Sequence, residues 1–368
     1  MNRWKVPLNK PFFSNETKEL VMNVLNSGMV SQGEMVEQFE EEVRKYVGAK
    51  YALAVSSCTA GMWMILTEMR GHCDEDDWGC ASIPAFTFPA ARLCAEYNDM
   101  IVENVDVSTK TYNAYSKNML YGNETVIPIH QFGMPCDMDT IRKESNGSGA
   151  FVLEDAACAL GSRYNGKMIG STGTAVFSFH GRKILTTGEG GMIVTDDEEL
   201  YEQCLQMRQF GRDKAGNWRG SGLNFKMSDV AAAMGIGQMK TLKLTTRLRA
   251  LVADAYATEF HHMWIDGYPF NNYFFKPYGG RTGQSLGTNW QSYVIKLHEK
   301  PGVNTRDTVM TKMRRAGIEV QVGSYDQSNG SCKNSAELAR TTLALPIWPE
   351  MVLDDIELVV NALEEALA

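Results

Sequence analysis

A single lysine, Lys183, stands between an apolar, β-rich run, Ala175-Val-Phe-Ser-Phe179, and a glycine-rich turn, Thr187-Gly-Glu-Gly-Gly191, that opens a second apolar run at 192–195. Two strands with short, stiff connections would hold this lysine just off a strand end. A lysine held that way can offer an unprotonated amine to a carbonyl where burial or nearby cations lower its pKa. The same pattern also fits a plain hairpin with an exposed lysine. A second run, Phe151-Val-Leu-Glu-Asp155, ends in two carboxylates and is followed by Ala156, Ala157 and Cys158. Ligands of open α/β sheets bind at strand ends. An aspartate there, near a Schiff-base lysine, is what pyridoxal phosphate (PLP) requires, because its carboxylate keeps the pyridine nitrogen protonated and the ring an electron sink. A lone aspartate after an apolar strand would serve equally as a helix cap.

The elements that must position these groups follow from the rhythm of the chain. Residues 51–55 form a short apolar strand, which runs through Ser56-Ser-Cys-Thr-Ala-Gly61 into a helix pattern at 62–69. Strand, small hydroxyl turn and helix N-terminus together make an anion site, where free amides, the helix dipole and the Thr59 hydroxyl can meet a phosphate. Ordinary capping by Ser57 or Thr59 accounts for the same residues. A strand-to-helix turn at 81–90 carries Phe86 and Phe88, either able to stack on a planar ring or to fill a core. Further strands are expected at 102–106 and 126–130. The alternation of apolar strand, polar turn and helix up to about residue 200 implies βαβ crossovers and a mostly parallel sheet with helices on both faces. A polar, glycine-rich loop at 210–222, with Arg212 and Arg219, reads as a substrate or subunit-contact loop, or as a floppy surface loop. Beyond it the expected order is a helix at 243–265, an irregular aromatic stretch at 267–287, a strand at 292–297, a helix at 306–316, a strand at 318–322 and a helix at 353–367. The expectation is an α/β fold in two parts, a larger domain at 1–245 and a smaller C-terminal α/β domain at 246–368.

Composition narrows the classes. The chain has 368 residues, 44% of them apolar, and a net charge of −8. That is enough to bury a large core, and it disfavours nucleic acid or an anionic membrane as the main partner. No apolar run reaches the length of a bilayer span and the N-terminus lacks a signal-like core, so the expected location is the cytoplasm. The eight cysteines show no CxxC or His-paired spacing, which argues against a disulfide framework or a metal site.

Laid side by side, these stretches resemble the DegT-type (DegT/DnrJ/EryC/StrS) family of PLP-dependent sugar aminotransferases, of fold type I. The resemblance rests on an ordered set: Pro7-Leu-Asn-Lys-Pro-Phe-Phe13, Gly28-Met-Val-Ser-Gln-Gly33, Ser57-Cys-Thr-Ala60, Pro84-Ala-Phe-Thr-Phe88, Glu154-Asp-Ala-Ala157, Phe177-Ser-Phe-His-Gly-Arg-Lys183, Thr187-Gly-Glu-Gly-Gly191, Asn224-Phe-Lys-Met-Ser-Asp229 and Leu345-Pro-Ile-Trp-Pro349. It implies that Lys183 is the Schiff-base lysine and proton shuttle and that Asp155 pairs with the ring nitrogen. Cys58 (by its backbone), Thr59 and Ser178 would hold the phosphate, and Phe88 would stack on the ring. Asn224 would reach a neighbouring subunit's phosphate site in a homodimer with shared active sites. The implied reaction carries an amino group from an amino acid, L-glutamate, through the pyridoxamine phosphate form, to a nucleotide-linked keto-deoxysugar of the GDP- or dTDP-4-keto-6-deoxy type, as in perosamine synthesis. Rival readings are a silent PLP-binding regulator or scaffold and a sugar dehydratase of the same family, in which a histidine replaces the lysine. The chain departs from the family at Cys58, at Lys226 and at Cys158, which stands where a glutamine near the cofactor's ring oxygen is usual.

Overall fold

The structure, a computed structural model, describes residues 4–71, 79–119, 125–262, 287–297 and 305–368. Its centre is a seven-stranded sheet of β1 (Tyr51–Val55), β2 (Cys80–Pro84), β3 (Ile101–Val105), β4 (Thr125–Val126), β5 (Phe151–Asp155), β6 (Thr174–Ser178) and β7 (Gly191–Thr195). The spatial order is β1-β7-β6-β5-β4-β2-β3. Only β7 runs against its neighbours, β1 and β6; the other pairings are parallel. The mostly parallel α/β sheet read from the sequence is therefore the architecture found.

Alternation along the strands shows why helices cover both faces. Leu53, Val55, Val176 and Ile193 join one apolar cluster with Met62, Ile65 and Leu66 of the helix Cys58–Gly71. Their immediate neighbours Ala52, Ala54, Ala175, Phe177, Met192 and Val194 join another with Val36, Phe39 and Val43 of the helix Glu34–Val47. Successive side chains point to opposite faces, and here both faces are dry. The helix Asp229–Met239 presses close to Glu34–Val47 through Gly235, where a Cβ would meet the Phe39 ring at 2.5 Å. Asp229 fastens the pair, its Oδ1 accepting from the amides of Gly33 at 2.7 Å and Val36 at 3.1 Å.

A three-stranded sheet lies beyond the helix Leu242–His262: β8 (Tyr293–Lys296), β9 (Gln321–Val322) and β10 (Thr342–Leu345), in the order β8-β10-β9. Its cluster takes in Tyr256, Tyr293, Val294, Leu343 and the terminal helix Leu353–Leu367. Val6, near the start of the chain, bridges to Ile318 and belongs to this cluster.

Several expected boundaries move, for definable reasons. The helix expected at 62–69 begins at Cys58, because Ser57 Oγ accepts the Ala60 amide at 3.0 Å and starts the coil earlier. The strand expected at 126–130 closes after Val126, since Pro128 has no N–H for the ladder. The helix Lys333–Thr341 and β10 follow one another without a turn residue between them, and neither was expected. The irregular stretch expected at 267–287 lies, except for Gly287, outside the described residues.

Candidate active site

The ends of β1, β5 and β6 and the start of the helix Cys58–Gly71 open on one cavity of about 330 Å3. Ser57, Cys58, Thr59, Phe88, Asp155, Cys158, Ser178 and Lys183 all line it. Eight residues from four separated stretches of the chain, 57–59, 88, 155–158 and 178–183, thus converge, as strand ends in an open sheet allow.

At the phosphate-like end, Cys58 and Thr59 occupy the first turn of their helix, where amides have no intrahelical acceptor. β7 comes so close behind this turn that a Cβ on Gly191 would sit 2.5 Å from the Cys58 nitrogen and 2.6 Å from the Ser57 carbonyl carbon. Only glycine allows that approach. Ser178, the last residue of β6, adds a hydroxyl.

Asp155 is buried at 7% exposure. Its Oδ1 accepts from the Ala157 amide at 2.9 Å, and Oδ2 has no hydrogen bond among the described residues. Burial pushes this carboxyl up, against the Ala157 N–H, Lys183 and His130. His130 beside it is fixed in one tautomer: its Nδ1 accepts from the Cys136 amide at 3.0 Å, so Nε2 carries the proton donated to Glu154 at 2.9 Å. Arg142 bonds the other oxygen of Glu154 at 2.6 Å.

Lys183 Nζ donates to Cys158 Sγ at 3.1 Å. Burial pulls its pKa down and is the largest influence, but Cys158, Cys58 and Asp155 together outweigh it and leave the ammonium favoured. The lowered pKa that burial alone would give is thus reversed by the residues around the amine. Phe88 stands at the mouth, 61% exposed, with its ring edge-on to Tyr325 at 6.3 Å. Arg182 donates to Gln321 Oε1 across the same opening. Asn224 does not line the cavity; it is exposed and bridges to Gln209.

Sequence reasoning passed over the residues that hold the lysine from behind. Gln291 accepts the Ile184 amide and donates to the Arg182 carbonyl. Arg249 is 2% exposed, bonds the carbonyls of Trp290 and Gln291, and is pulled down to about 9 by burial. Neither stands in a pattern that local spacing could pick out.

The profile of the DegT/DnrJ/EryC1/StrS aminotransferase family matches residues 12–364. The chain belongs to that family. It is 32% identical to the spore coat polysaccharide biosynthesis protein SpsC of Bacillus subtilis, over 98% of this chain and 96% of that one. Among solved structures it resembles Helicobacter pylori PseC, an aminotransferase of pseudoaminic acid biosynthesis, with a TM-score of 0.86, 21% identity and coverage of 98% and 99%. It also resembles the E. coli GDP-4-keto-6-deoxy-D-mannose-3-dehydratase with bound hydrated PLP, with a TM-score of 0.83, 21% identity and coverage of 98% and 99%. These likenesses agree with the sheet and its helical layers. No helix among the described residues is long and apolar enough to cross a membrane, and no group of metal-ligating side chains is found among them.

Proposed function

We propose that this protein is a PLP-dependent transaminase that carries an amino group from L-glutamate to a keto-deoxysugar linked to a nucleotide. The observation that carries the reading is the convergence of Lys183, Asp155, Ser178 and the Ser57–Thr59 turn on one cavity. The cavity fits the cofactor at three places. A helix N-terminus and two hydroxyls face a phosphate, and the Gly191 approach leaves their cradle unfilled. A buried carboxylate with a free oxygen suits a protonated ring nitrogen. The lysine amine lines the same cavity and feels the charges of both Cys58 and Asp155.

When bound, PLP supplies an electron sink for the pair released as the donor's Cα–H bond breaks. The chain's own residues do the rest. Asp155 holds a proton at the ring nitrogen and keeps that end of the ring cationic. Lys183 Nζ, once unprotonated, would hold the cofactor at its aldehyde carbon and, when free, would carry the proton taken from the donor's Cα. Phe88 at the mouth would stack on the ring, and Tyr325 and Gln321, which line the same cavity, would meet the sugar. The exposed Asn224 and the loop bearing Trp218, stacked on Arg212 at 4.4 Å, form the face for a second copy of the chain, which completes the phosphate site in a homodimer.

The test is an absorbance spectrum of the purified protein before and after addition of L-glutamate. A yellow band that bleaches with glutamate, followed by amination of a GDP- or dTDP-linked 4-keto-6-deoxysugar, supports the reading. A colourless protein that PLP does not reconstitute overturns it.

A further inference from the structure

Lys183 sits in a turn, not in a strand, so its peptide flanks lack a sheet ladder to fix them. The Lys183 N–H donates to the His180 carbonyl at 2.8 Å, and one side chain bonds the peptide units on both sides of it. Gln291 Oε1 accepts the Ile184 N–H at 2.7 Å, and Gln291 Nε2 donates to the Arg182 carbonyl at 2.7 Å. These two groups belong to the two peptide units on either side of the Lys183 Cα. Each unit is planar, so the only soft dihedrals between them are φ and ψ of Lys183 itself. Holding both units holds both angles, and with them the direction in which the lysine side chain leaves the backbone.

Gln291 is itself held in place. It is 6% exposed. Its carbonyl accepts from Arg249 Nη2 at 2.8 Å, the Trp290 carbonyl accepts from Arg249 Nε at 2.9 Å, and its amide donates to Asn289 Oδ1 at 2.9 Å. Trp290 between them has φ of 56°, a left-handed conformation uncommon for a bulky residue and kept here by the bonds on both sides. Asn289 Nδ2 donates to the carbonyl of Cys158, whose sulfur meets the lysine amine. A segment of three residues therefore fixes the backbone of both members of the Lys183–Cys158 pair.

We propose that Gln291 is a positioning residue for Lys183, setting the angle from which its amine reaches the reacting carbon; this rests on the aminotransferase reading given above. An amide is suited to the task because it carries a donor and an acceptor side by side, whereas a carboxylate can only accept.

The experiment compares Gln291→Leu and Gln291→Glu with the wild type. In the apoprotein, hydrogen exchange of the segment 180–187 is measured as protection relative to the free peptide. Gln291→Leu loses both bonds, and protection of the Ile184 amide falls about thirtyfold while the strand 151–155 is unchanged. In Gln291→Glu, protection is low at neutral pH and returns as the pH falls, since a protonated carboxyl again offers one donor and one acceptor. In the cofactor-loaded enzyme, kcat for the glutamate half-reaction drops about 100-fold in Gln291→Leu with KM within about threefold, as expected when a reacting group is misplaced but binding is kept. A merely structural glutamine would lower the melting temperature and leave kcat and the pH-dependent recovery unmoved. Unchanged protection in both variants, or kcat within about threefold of wild type, overturns the proposal. If Gln291→Leu does not fold, Gln291→Glu carries both measurements. A wild type that takes up no PLP overturns the transaminase reading, and the exchange pattern of the apoprotein still decides whether the glutamine holds the lysine turn.

Discussion

The two ends of the cavity are built differently. The inner end is made of strand ends and one helix start: Asp155 and Ser178 close β5 and β6, and Ser57–Thr59 follows β1. The open end is made of Phe88, Arg182, Gln321 and Tyr325, drawn from turns and two-residue strands and in part exposed. The first is rigid because its backbone is tied into a sheet dry on both faces. The second depends on side chains meeting across gaps. Under the transaminase reading, the chemistry common to all substrates belongs to the first end and the choice of sugar to the second.

Four substitutions can break or sharpen that contrast. Lys183→Ala should have the largest effect: glutamate-driven bleaching is lost and turnover falls by about 10^4-fold, read by single-turnover absorbance. Near wild-type turnover would remove Lys183 from the mechanism. Gly191→Ala should come next, because its Cβ has nowhere to go against the Cys58 and Ser57 backbone. A loss of about 1–3 kcal/mol in thermal unfolding and a cofactor affinity weaker by about tenfold are expected, the second measured by spectral titration. Cys158→Ala should act through the 3.1 Å contact with the Lys183 amine. The neighbouring sulfur helps hold the Lys183 amine protonated, so its removal lets that pKa fall. Since only the neutral amine captures a carbonyl, cofactor uptake should reach its half-maximal rate at a lower pH than in the wild type. A midpoint that stays put or rises would remove Cys158 as the cause. Tyr325→Ala should be the mildest, raising KM for the sugar about three- to tenfold while leaving the glutamate half-reaction as it is. Equal damage to both half-reactions would erase the distinction between the two ends.

The same contrast explains what could be read without a structure. Phe151–Asp155 and Leu353–Leu367 are found at their expected bounds, because an apolar run or a 3.6-residue period carries its own signal. The residues at the inner end of the cavity stand out in the sequence because each closes or directly follows such an element. Strand order was not, and neither was the reversed direction of β7, since pairing depends on partners far along the chain. Asn289, Gln291 and Arg249 left no local trace: single polar residues whose meaning comes from carbonyls more than 40 positions away in the case of Arg249 with Trp290 and Gln291. The effect of Cys158 on Lys183 likewise needed the 3.1 Å contact; as a sequence feature it was only an unusual residue after Glu154-Asp-Ala-Ala157.

Arg249 has a consequence for how this enzyme can be altered. It lies on the helix Leu242–His262 and bonds directly to the backbone at Trp290 and Gln291, so the two ends of the intervening chain are tied together by a side chain. A substitution on that helix therefore reaches Lys183 from a distance, through the Trp290–Gln291 backbone and the Gln291 amide.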